Sequence, residues 1–491
     1  MPSFPFDNSY ARLPEAFFRR CQPSPVSSPR LIRLNKALVG TLGLTLDDVD
    51  ANALAQLFSG NVLPEGAEPL AAAYAGHQFG GFNPQLGDGR AILLGEVVDV
   101  HGRRQDVQLK GAGKTPFSRG GDGRSPLGPV IREYLVSEAM HALGVPTTRA
   151  LAAVTTGDAV YRDGALPGAI LTRVAASHIR VGTFQYIAAR GEFPNLRLLA
   201  DHVIDRHYPD LAGSDQRYRE LLEAVVKRQA VLIANWMSIG FIHGVMNTDN
   251  MLVSGEAIDY GPCAFMDAYH PETVFSSIDT GGRYAYRMQP AIAQWNMARF
   301  AETLLPLLGE NEAEAVEYAT GIIRAFVGYY DAAWLERMRA KLGLQSQQDD
   351  DQTLIESLLA AMDAAGADFT LLFRSLAAAS ADPLQAEQPR AYFPQPALWD
   401  HWASQWQQRL ARESITPSAR TEAMRTVNPA VIPRNHRIEQ AIEKATVQGD
   451  FSDFDRLLDI LARPFDDQLA AAEWMGPPEP AERVCQTFCG T

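Results

Sequence analysis

Asp249, Asn250 and Asp259 place three hard oxygen donors close together in the chain, within His243-Gly244-Val245-Met246-Asn247-Thr248-Asp249-Asn250 and the Asp259-Tyr260-Gly261 that follows nine residues later. Such donors suit magnesium or manganese bridging phosphate oxygens. His243 and Asn250 have the spacing of the phosphoryl-transfer loop H-R-D-x-x-x-x-N, and Asp259-Tyr260-Gly261 can stand for the D-F-G that goes with it. One part is displaced. Where that template has its first Asp, beside the acceptor hydroxyl, the chain has Val245, and a new carboxylate, Asp249, directly precedes the Asn. The pattern keeps a nucleotide–metal site and changes the reaction it serves.

Such a site needs a lysine at the end of a strand and a helix that supplies a Glu to hold it against phosphate oxygens. Ala91 to Val98 and Val107 to Lys110 read as two strands joined by a turn at His101-Gly102, so Lys110 ends the second. A helix follows from about Val130 to Leu143, bounded by Pro129 and by Gly144 with Pro146, and it carries Glu133. Gly168 to Thr172 reads as a strand delivering Arg173, with Arg180 seven residues on. Guanidinium forks bind phosphate oxygens through two bonds at once. Alone, each of these charges would pass for a solvated surface group; their order along the chain gives them weight.

Three glycine-rich loops surround the strand pair: Leu86-Gly87-Asp88-Gly89-Arg90, Gly111-Ala112-Gly113-Lys114-Thr115 and Gly120-Gly121-Asp122-Gly123-Arg124. The middle one invites a Walker A reading, which fails on spacing. Gln108 stands where G-x-x-x-x-G-K-[ST] requires its first Gly, and Pro116 follows Thr115. Together the three loops favour phosphate contact over simple turns.

The 491 residues are 46% hydrophobic and 21% charged, ordinary for a globular chain of two or more structural units. A net charge of -14 argues against nonspecific nucleic-acid or anionic-membrane binding. Residues 81–180 run the other way, with 12 Lys and Arg against 9 Asp and Glu, which suits a polyanionic small ligand. The longest apolar region, Leu221 to Ile242, is interrupted by charges and reads as a buried helix, and Met1 to Asp7 has no signal-peptide character. Four cysteines make no disulfide scaffold, so a reducing cytoplasm is the expected compartment. Residues 1–75 read as a wrapping extension with short helices, 76–168 as a small lobe with nucleotide-binding loops, 169–345 as a larger lobe with the catalytic and metal loops, and 346–491 as a helical C-terminal region and tail. Gln345 to Gln352 reads as a loop between helices. Asp201-His202 through Asp205-Arg206-His207 offers metal-type side chains on a helix, but ordinary amphipathicity explains it better.

The chain resembles the selenoprotein O family of protein adenylyltransferases, which have a kinase-like fold. The resemblance runs from Tyr74-Ala75-Gly76-His77-Gln78-Phe79-Gly80 to the C-terminal cysteine and includes Gln108-Leu109-Lys110-Gly111, Asp259-Tyr260-Gly261-Pro262, Asn428-Pro429 and Ile432-Pro433-Arg434-Asn435. It implies an α+β, protein-kinase-like two-lobed fold, with a strand-rich N-lobe, a larger mainly helical C-lobe and extensions at both ends. It also implies ATP bound the opposite way round from a kinase, with AMP passing to Ser, Thr or Tyr hydroxyls of proteins and pyrophosphate leaving; UMP transfer is a further activity to consider. Carried over by position, Asp249 is the catalytic acid/base, and Asn250 and Asp259 hold magnesium or manganese. Gly87, Gly89, Arg90, Lys110, Asp122, Gly123, Arg173, Arg180 and Asp259 contact the nucleotide, and Glu133 supports the lysine. Cys489 sits where some members carry selenocysteine, and the family pattern implies a regulatory disulfide with a cysteine near the metal loop. That cysteine belongs near Phe275, where this chain has none; Cys263 is the remaining candidate, and incidental thiols at 263, 485 and 489 are the better reading.

An unperturbed Asp ionises near pH 3.9, so Asp249 is expected to be a carboxylate able to orient an acceptor hydroxyl and take its proton late. Two other functions compete. A small-molecule phosphotransferase would keep an Asp two residues after the His, where Val245 stands, and a non-catalytic nucleotide-binding pseudokinase would not need Asp249, Asn250 and Asp259 together.

Overall fold

The computed structural model describes residues 4–488. Its N-terminal half is built on an eight-stranded sheet whose strands pair antiparallel. We label the strands β1 (Phe18–Arg20), β2 (Arg30–Leu34), β3 (Leu70–Ala72), β4 (Gly76–Gln78), β5 (Gly81–Asn83), β6 (Ala91–Val98), β7 (Arg104–Lys110), β8 (Ser125–Pro126), β9 (Arg149–Tyr161), β10 (Ala165–Ala175), β11 (Phe241–Ile242) and β12 (Ala264–Phe265). The sheet runs β1-β3-β6-β7-β10-β9-β2, with β8 on the side of β10, while β4–β5 and β11–β12 are separate two-stranded pairs.

The register explains the convergence of charge on one face. Lys110 lies between Ala91 of β6 and Leu171 of β10, and Arg173 pairs with Gln108. Side chains alternate along a strand, so Gln108, Lys110, Leu171 and Arg173 share a face. The intervening Val107, Leu109, Ile170 and Val174 point the other way. They join a second core with Leu38, Leu54, Leu57 and Phe58, from the two short helices Lys36–Thr41 and Ala51–Phe58, and with Leu42, which follows the first. The N-terminal residues therefore do more than wrap. Contrary to the expectation of short helices alone, β1 and β2 cap the two open edges of the sheet. They escape the sequence pattern because β1 is three residues long and β2 is partly buried along its length without alternation. An edge strand needs only one paired side, and covering it removes an aggregation-prone template.

The helix carrying Glu133 spans Leu127–Ala142 and begins directly after Pro126. It is buried on nearly every side because the sheet lies on one flank and the C-terminal helices Asn435–Gln448 and Ser452–Leu461 pack on it from another. Tyr134 meets Phe454 edge to face at 5.4 Å, and Arg132 donates to the Cys263 carbonyl at 3.2 Å while pairing with Glu439. The helix is therefore clamped to the segment after Asp259 as well as to the end of the chain.

From Val181 onward the chain is mainly helical, after β10, which contains the strand expected at Gly168 to Thr172 and carries Arg173. Leu221 to Ile242 resolves into the buried helix Arg217–Ser238 followed by β11. β11 pairs with β12, Phe241 opposite Phe265, and so gathers both ends of the segment bearing Asp249, Asn250 and Asp259. The loop expected at 345–352 ends at Asp350, since Asp351 starts the next helix. Among the described residues, no helix is long and apolar enough to cross a membrane.

Phe454→Ala should remove a fully buried ring from this clamp. The expected cost is about 3–5 kcal/mol, read as a lower Tm, with faster amide exchange across residues 127–142. Unchanged exchange in that helix would show that the C-terminal helices do not hold it.

Candidate active site

Five charged side chains meet between the sheet and the helical half. Lys110 Nζ lies 2.5 Å from Glu133 Oε2 and 2.6 Å from Asp259 Oδ1. The Arg173 guanidinium reaches Glu133 Oε1 at 2.6 Å and Asp259 Oδ1 at 2.7 Å, and Arg180 reaches Asp259 Oδ2 at 2.9 Å. Three cations thus share two carboxylates. Burial alone would raise the Asp259 carboxyl, but Arg173, Lys110 and Arg180 outweigh it and hold it well below the usual carboxylate range. Glu133 is lowered in the same way, its burial overcome by Arg173 and Lys110. For Lys110, burial and the neighbouring Arg173 lower the ammonium pKa despite Asp259 and Glu133. Asp259 also sits at φ +64°, a left-handed conformation that costs a non-glycine residue about 1 kcal/mol or more and persists only when its surroundings impose it.

The turn that delivers Arg180 is anchored from beneath. His178 is hydrogen-bonded to Asp106 through its backbone N at 2.8 Å and its Nδ1 at 2.9 Å. Arg180 caps the helix Val181–Ala188, lies 4.7 Å from the centre of the Tyr74 ring and donates to the Asp249 carbonyl at 2.5 Å. It therefore links the Asp259 carboxylate to the loop that carries Asp249.

Within that loop, His243 is stacked on Trp236 and hydrogen-bonds the Ile258 carbonyl at 2.8 Å, tying the loop to the residue before Asp259. The Asn250 amide donates to the Val245 carbonyl at 3.0 Å, which leaves its own oxygen as an acceptor. Val245 thus serves the loop through its backbone, where the phosphoryl-transfer template has a carboxylate. Asp249 is 8% exposed, and burial pushes its carboxyl up to about 6, against the opposing pull of Arg180 and of the Gln78 amide. It is still mainly ionised at neutral pH, but it is far more basic than the unperturbed value the sequence suggested.

The β4–β5 hairpin lies directly on this loop. His77 N donates to Thr248 Oγ1 at 2.7 Å, Gln78 Nε2 to Asp249 Oδ2 at 3.1 Å and Phe79 N to Asn247 Oδ1 at 3.1 Å. Gln185 bridges Thr248 and His77, at 2.6 and 2.8 Å. The approach is close enough that a β-carbon on Gly76 would lie 2.5 Å from Asp249 Oδ1, an oxygen with no hydrogen-bond partner among the described residues.

The glycine loops divide by role. Gly87 has φ +73°, and a β-carbon there would lie 2.3 Å from the Phe117 ring; the loop is held by Thr115 and Ser118 hydroxyls on the Asp88 and Gly89 carbonyls. Gly123 packs backbone against backbone, where a β-carbon would lie 2.1 Å from the Gly113 oxygen. The glycines at 111 and 113 thus answer to close packing. Lys114 is exposed and no helix follows it directly, so the Walker reading fails on structure as well as on spacing. Asp122, at the rim, takes two hydrogen bonds from Arg162, at 2.9 and 3.1 Å.

All twelve residues singled out from the sequence line one cavity of about 510 Å³: Gly87, Gly89, Arg90, Lys110, Asp122, Gly123, Glu133, Arg173, Arg180, Asp249, Asn250 and Asp259. That volume is in the range of small-molecule pockets. Tyr74, Gln78, Asp88 and Arg162 line it too and were not singled out. Gln78 lay within a quoted stretch, but nothing in its type announced a bond to a residue 171 positions away. Arg162 follows the end of β9 in the turn to β10 and gave no signal beyond that turn.

The other sequence candidates point elsewhere. Asp201 bonds Arg217 and Tyr218, His202 packs against Tyr10 and His207 bonds Ser177, so these side chains do not converge. Cys263 is buried with its thiol 3.2 Å from the Tyr260 carbonyl, Cys485 is exposed, and Cys489 lies outside the described residues.

A sequence profile described as "Protein adenylyltransferase SelO" matches residues 2–462. The chain belongs to this family. It is 61% identical over 490 residues to the protein nucleotidyltransferase YdiU of Rhizobium rhizogenes, covering 100% of this chain and 97% of that one. The YdiU proteins of Rhizobium meliloti and of a Bradyrhizobium species are each 59% identical, with coverage of 100% of both chains for the first and 99% of both for the second. Family membership places the chain among the nucleotidyltransferases.

Glu133→Gln should leave three buried cations facing one carboxylate and lower stability by about 3 kcal/mol. Adding ATP with magnesium should raise the Tm of this variant more than that of the wild type, because phosphate charge replaces the lost carboxylate. An equal rise in both proteins would show that Glu133 does not balance the cations that meet the nucleotide.

Proposed function

We propose that the chain transfers AMP from ATP to serine, threonine or tyrosine hydroxyls of protein acceptors, releasing pyrophosphate, from the cleft of a two-lobed kinase-like fold. The reading is carried by one observation. Asp249 and the cation-held Asp259 line the same cavity, while the position that holds the base in a phosphotransferase is occupied by the apolar Val245. Adenylyl transfer joins the acceptor oxygen to the α-phosphorus and breaks the bond to the β-phosphate oxygen, so the α-phosphate has to face Asp249.

In this scheme Lys110, Arg173 and Arg180, which neutralise Glu133 and Asp259 before the nucleotide arrives, turn toward its phosphates. Backbone N–H groups of the loops at Gly87–Arg90 and Asp122–Gly123 approach the polyphosphate, where glycine lets the chain come close. Asn250 offers its amide oxygen, and Asp259 Oδ2 has a lone pair beyond the one Arg180 uses, a donor pair that suits magnesium or manganese completed by phosphate oxygens. When bound there, the ion supplies charge neutralisation on the phosphates. Asp249 Oδ2 takes only the Gln78 amide and has room for the acceptor hydroxyl, whose proton it accepts as the new P–O bond forms.

Asp259→Ala should abolish binding of nucleotide with metal in calorimetric titration, whereas Asp249→Ala should retain it and lose turnover by about 100-fold or more. Equal loss of binding in both would sink this division of roles. Incubation with a cell extract and ATP labelled at the α- or γ-phosphate decides the reaction. Retention of α-label on protein is expected. γ-label on a small molecule would mean phosphoryl transfer, and movement of neither label would mean nucleotide binding without catalysis.

A further inference from the structure

The strand that holds the catalytic loop has an outward side that no part of the reaction scheme uses. Phe79 and Phe82 are 39% and 44% exposed on the β4–β5 hairpin. Scattered exposed rings are ordinary on a surface. These two, however, flank a guanidinium: Phe79 packs on Tyr284, the neighbour of Arg283, and Phe82 packs on His77, which meets the Trp295 ring that Arg283 also approaches. Arg283 lies 5.0 Å from the Trp295 ring and 3.8 Å from where a side chain at Gly80 would begin. It makes no ion pair among the described residues, and its Nε is buried without a hydrogen-bond partner. Its neighbour Arg299, which shares the Trp295 ring, is paired with Glu302 at 2.6 Å. In a chain of net charge -14, an arginine that rests on the Trp295 and Tyr284 rings with no carboxylate paired to it among the described residues keeps its charge available to a partner. It has the chemistry of an interface hot spot, in which an aromatic platform and an arginine fork take an apolar side chain and a carboxylate.

The position of the patch indicates what it would hold. Phe79 lines the cavity, and the adjacent Gln78 holds Asp249, so the patch is continuous with the entrance to the catalytic carboxylate. We propose that this surface docks the acceptor protein. The acceptor segment would place an Asp or Glu on Arg283 and an apolar side chain against Phe79 and Phe82, beside the hydroxyl that receives the nucleotide. The inference rests on the adenylyl-transfer reading and deepens it, since it assigns a sequence preference to the acceptor. Because Phe79 directly follows Gln78, an acceptor seated on the hairpin bears on the amide that covers Asp249.

The test uses the full chain, α-labelled ATP and two series of synthetic peptides with one Ser, Thr or Tyr each. One series is flanked by Glu and Leu, the other by Lys and Ser. The wild type should label the Glu/Leu series with kcat/KM about tenfold or more above the Lys/Ser series. Arg283→Gln and Phe82→Ser should lose that preference through a higher KM for peptide, with calorimetric affinity for ATP and magnesium unchanged. Arg283→Glu should shift the preference toward the Lys/Ser series. Equal labelling of both series by the wild type, or an undiminished preference in Arg283→Gln, would overturn the docking surface. So would labelling of extract proteins without labelling of either series. Absence of α-label from every acceptor, extract proteins included, would instead overturn adenylyl transfer itself.

Discussion

Asp259 is the charge on which the site is organised. A buried carboxylate has to be compensated, and removing one member of a buried pair typically costs several kcal/mol. Here the compensation comes from Lys110 on β7, Arg173 on β10 and Arg180 at a helix start, with Glu133 balancing the excess of positive charge. Each of these elements is bound in turn to another part of the chain. The sheet register puts Lys110 and Arg173 on one face, and the C-terminal helices press the Glu133 helix onto that face. The far end of the chain thus helps to keep the cluster in place, although it contributes no residue to it.

The same cluster suits a nucleotide. Three cations that share two carboxylates carry one positive charge in excess, so they can take phosphate oxygens while still facing Glu133 and Asp259. In the proposed reaction this limits the reorganisation needed when a triphosphate enters, and preorganised charge of this kind is the main resource of phosphoryl and nucleotidyl transfer. The loop that carries Asp249 is held by a different device. Its Asn247, Thr248 and Asp249 are bonded by three successive residues of a short hairpin, and the closeness of that contact excludes any side chain at Gly76. One side of the hairpin supports the loop, while the other offers exposed rings beside Arg283.

Much of this could be read from residue types and spacing. Lys110 at a strand end, Glu133 on the next helix and Asp259 after Asn250 follow from local periodicity and from chemistry that requires oxygen donors in a fixed order. The strands at 91–98 and 107–110 were legible as short apolar runs on either side of the His101-Gly102 turn, whereas Arg104 to Asp106, which extend the second, were not. β1 and β2 were not, being short edge strands whose partners are remote in sequence. The bond from Gln78 to Asp249, the pairing of Asp122 with Arg162 and the seating of Arg283 on Trp295 without an ion pair among the described residues left no local signature, since each depends on how the folded chain packs. The glycines were only half legible. Their number pointed to a phosphate cradle, yet those at 111, 113 and 123 answer in good part to close packing, against Ala169 and Ser125, Ser24 and the Gly113 backbone respectively.

The sequence by itself determined which groups could do chemistry here: a displaced carboxylate, two oxygen donors for a cation, and a lysine and arginines for phosphate. Side-chain type and local order set those possibilities, and they are independent of the rest of the fold. Tertiary structure decided which of them meet and in what state. It set the burial that raises Asp249 to about 6 and the cation cluster that lowers Asp259. It also placed the hairpin against Asp249. Burial and long-range pairing are properties of the packed chain, and they decide how a charge behaves once its residue type has been chosen.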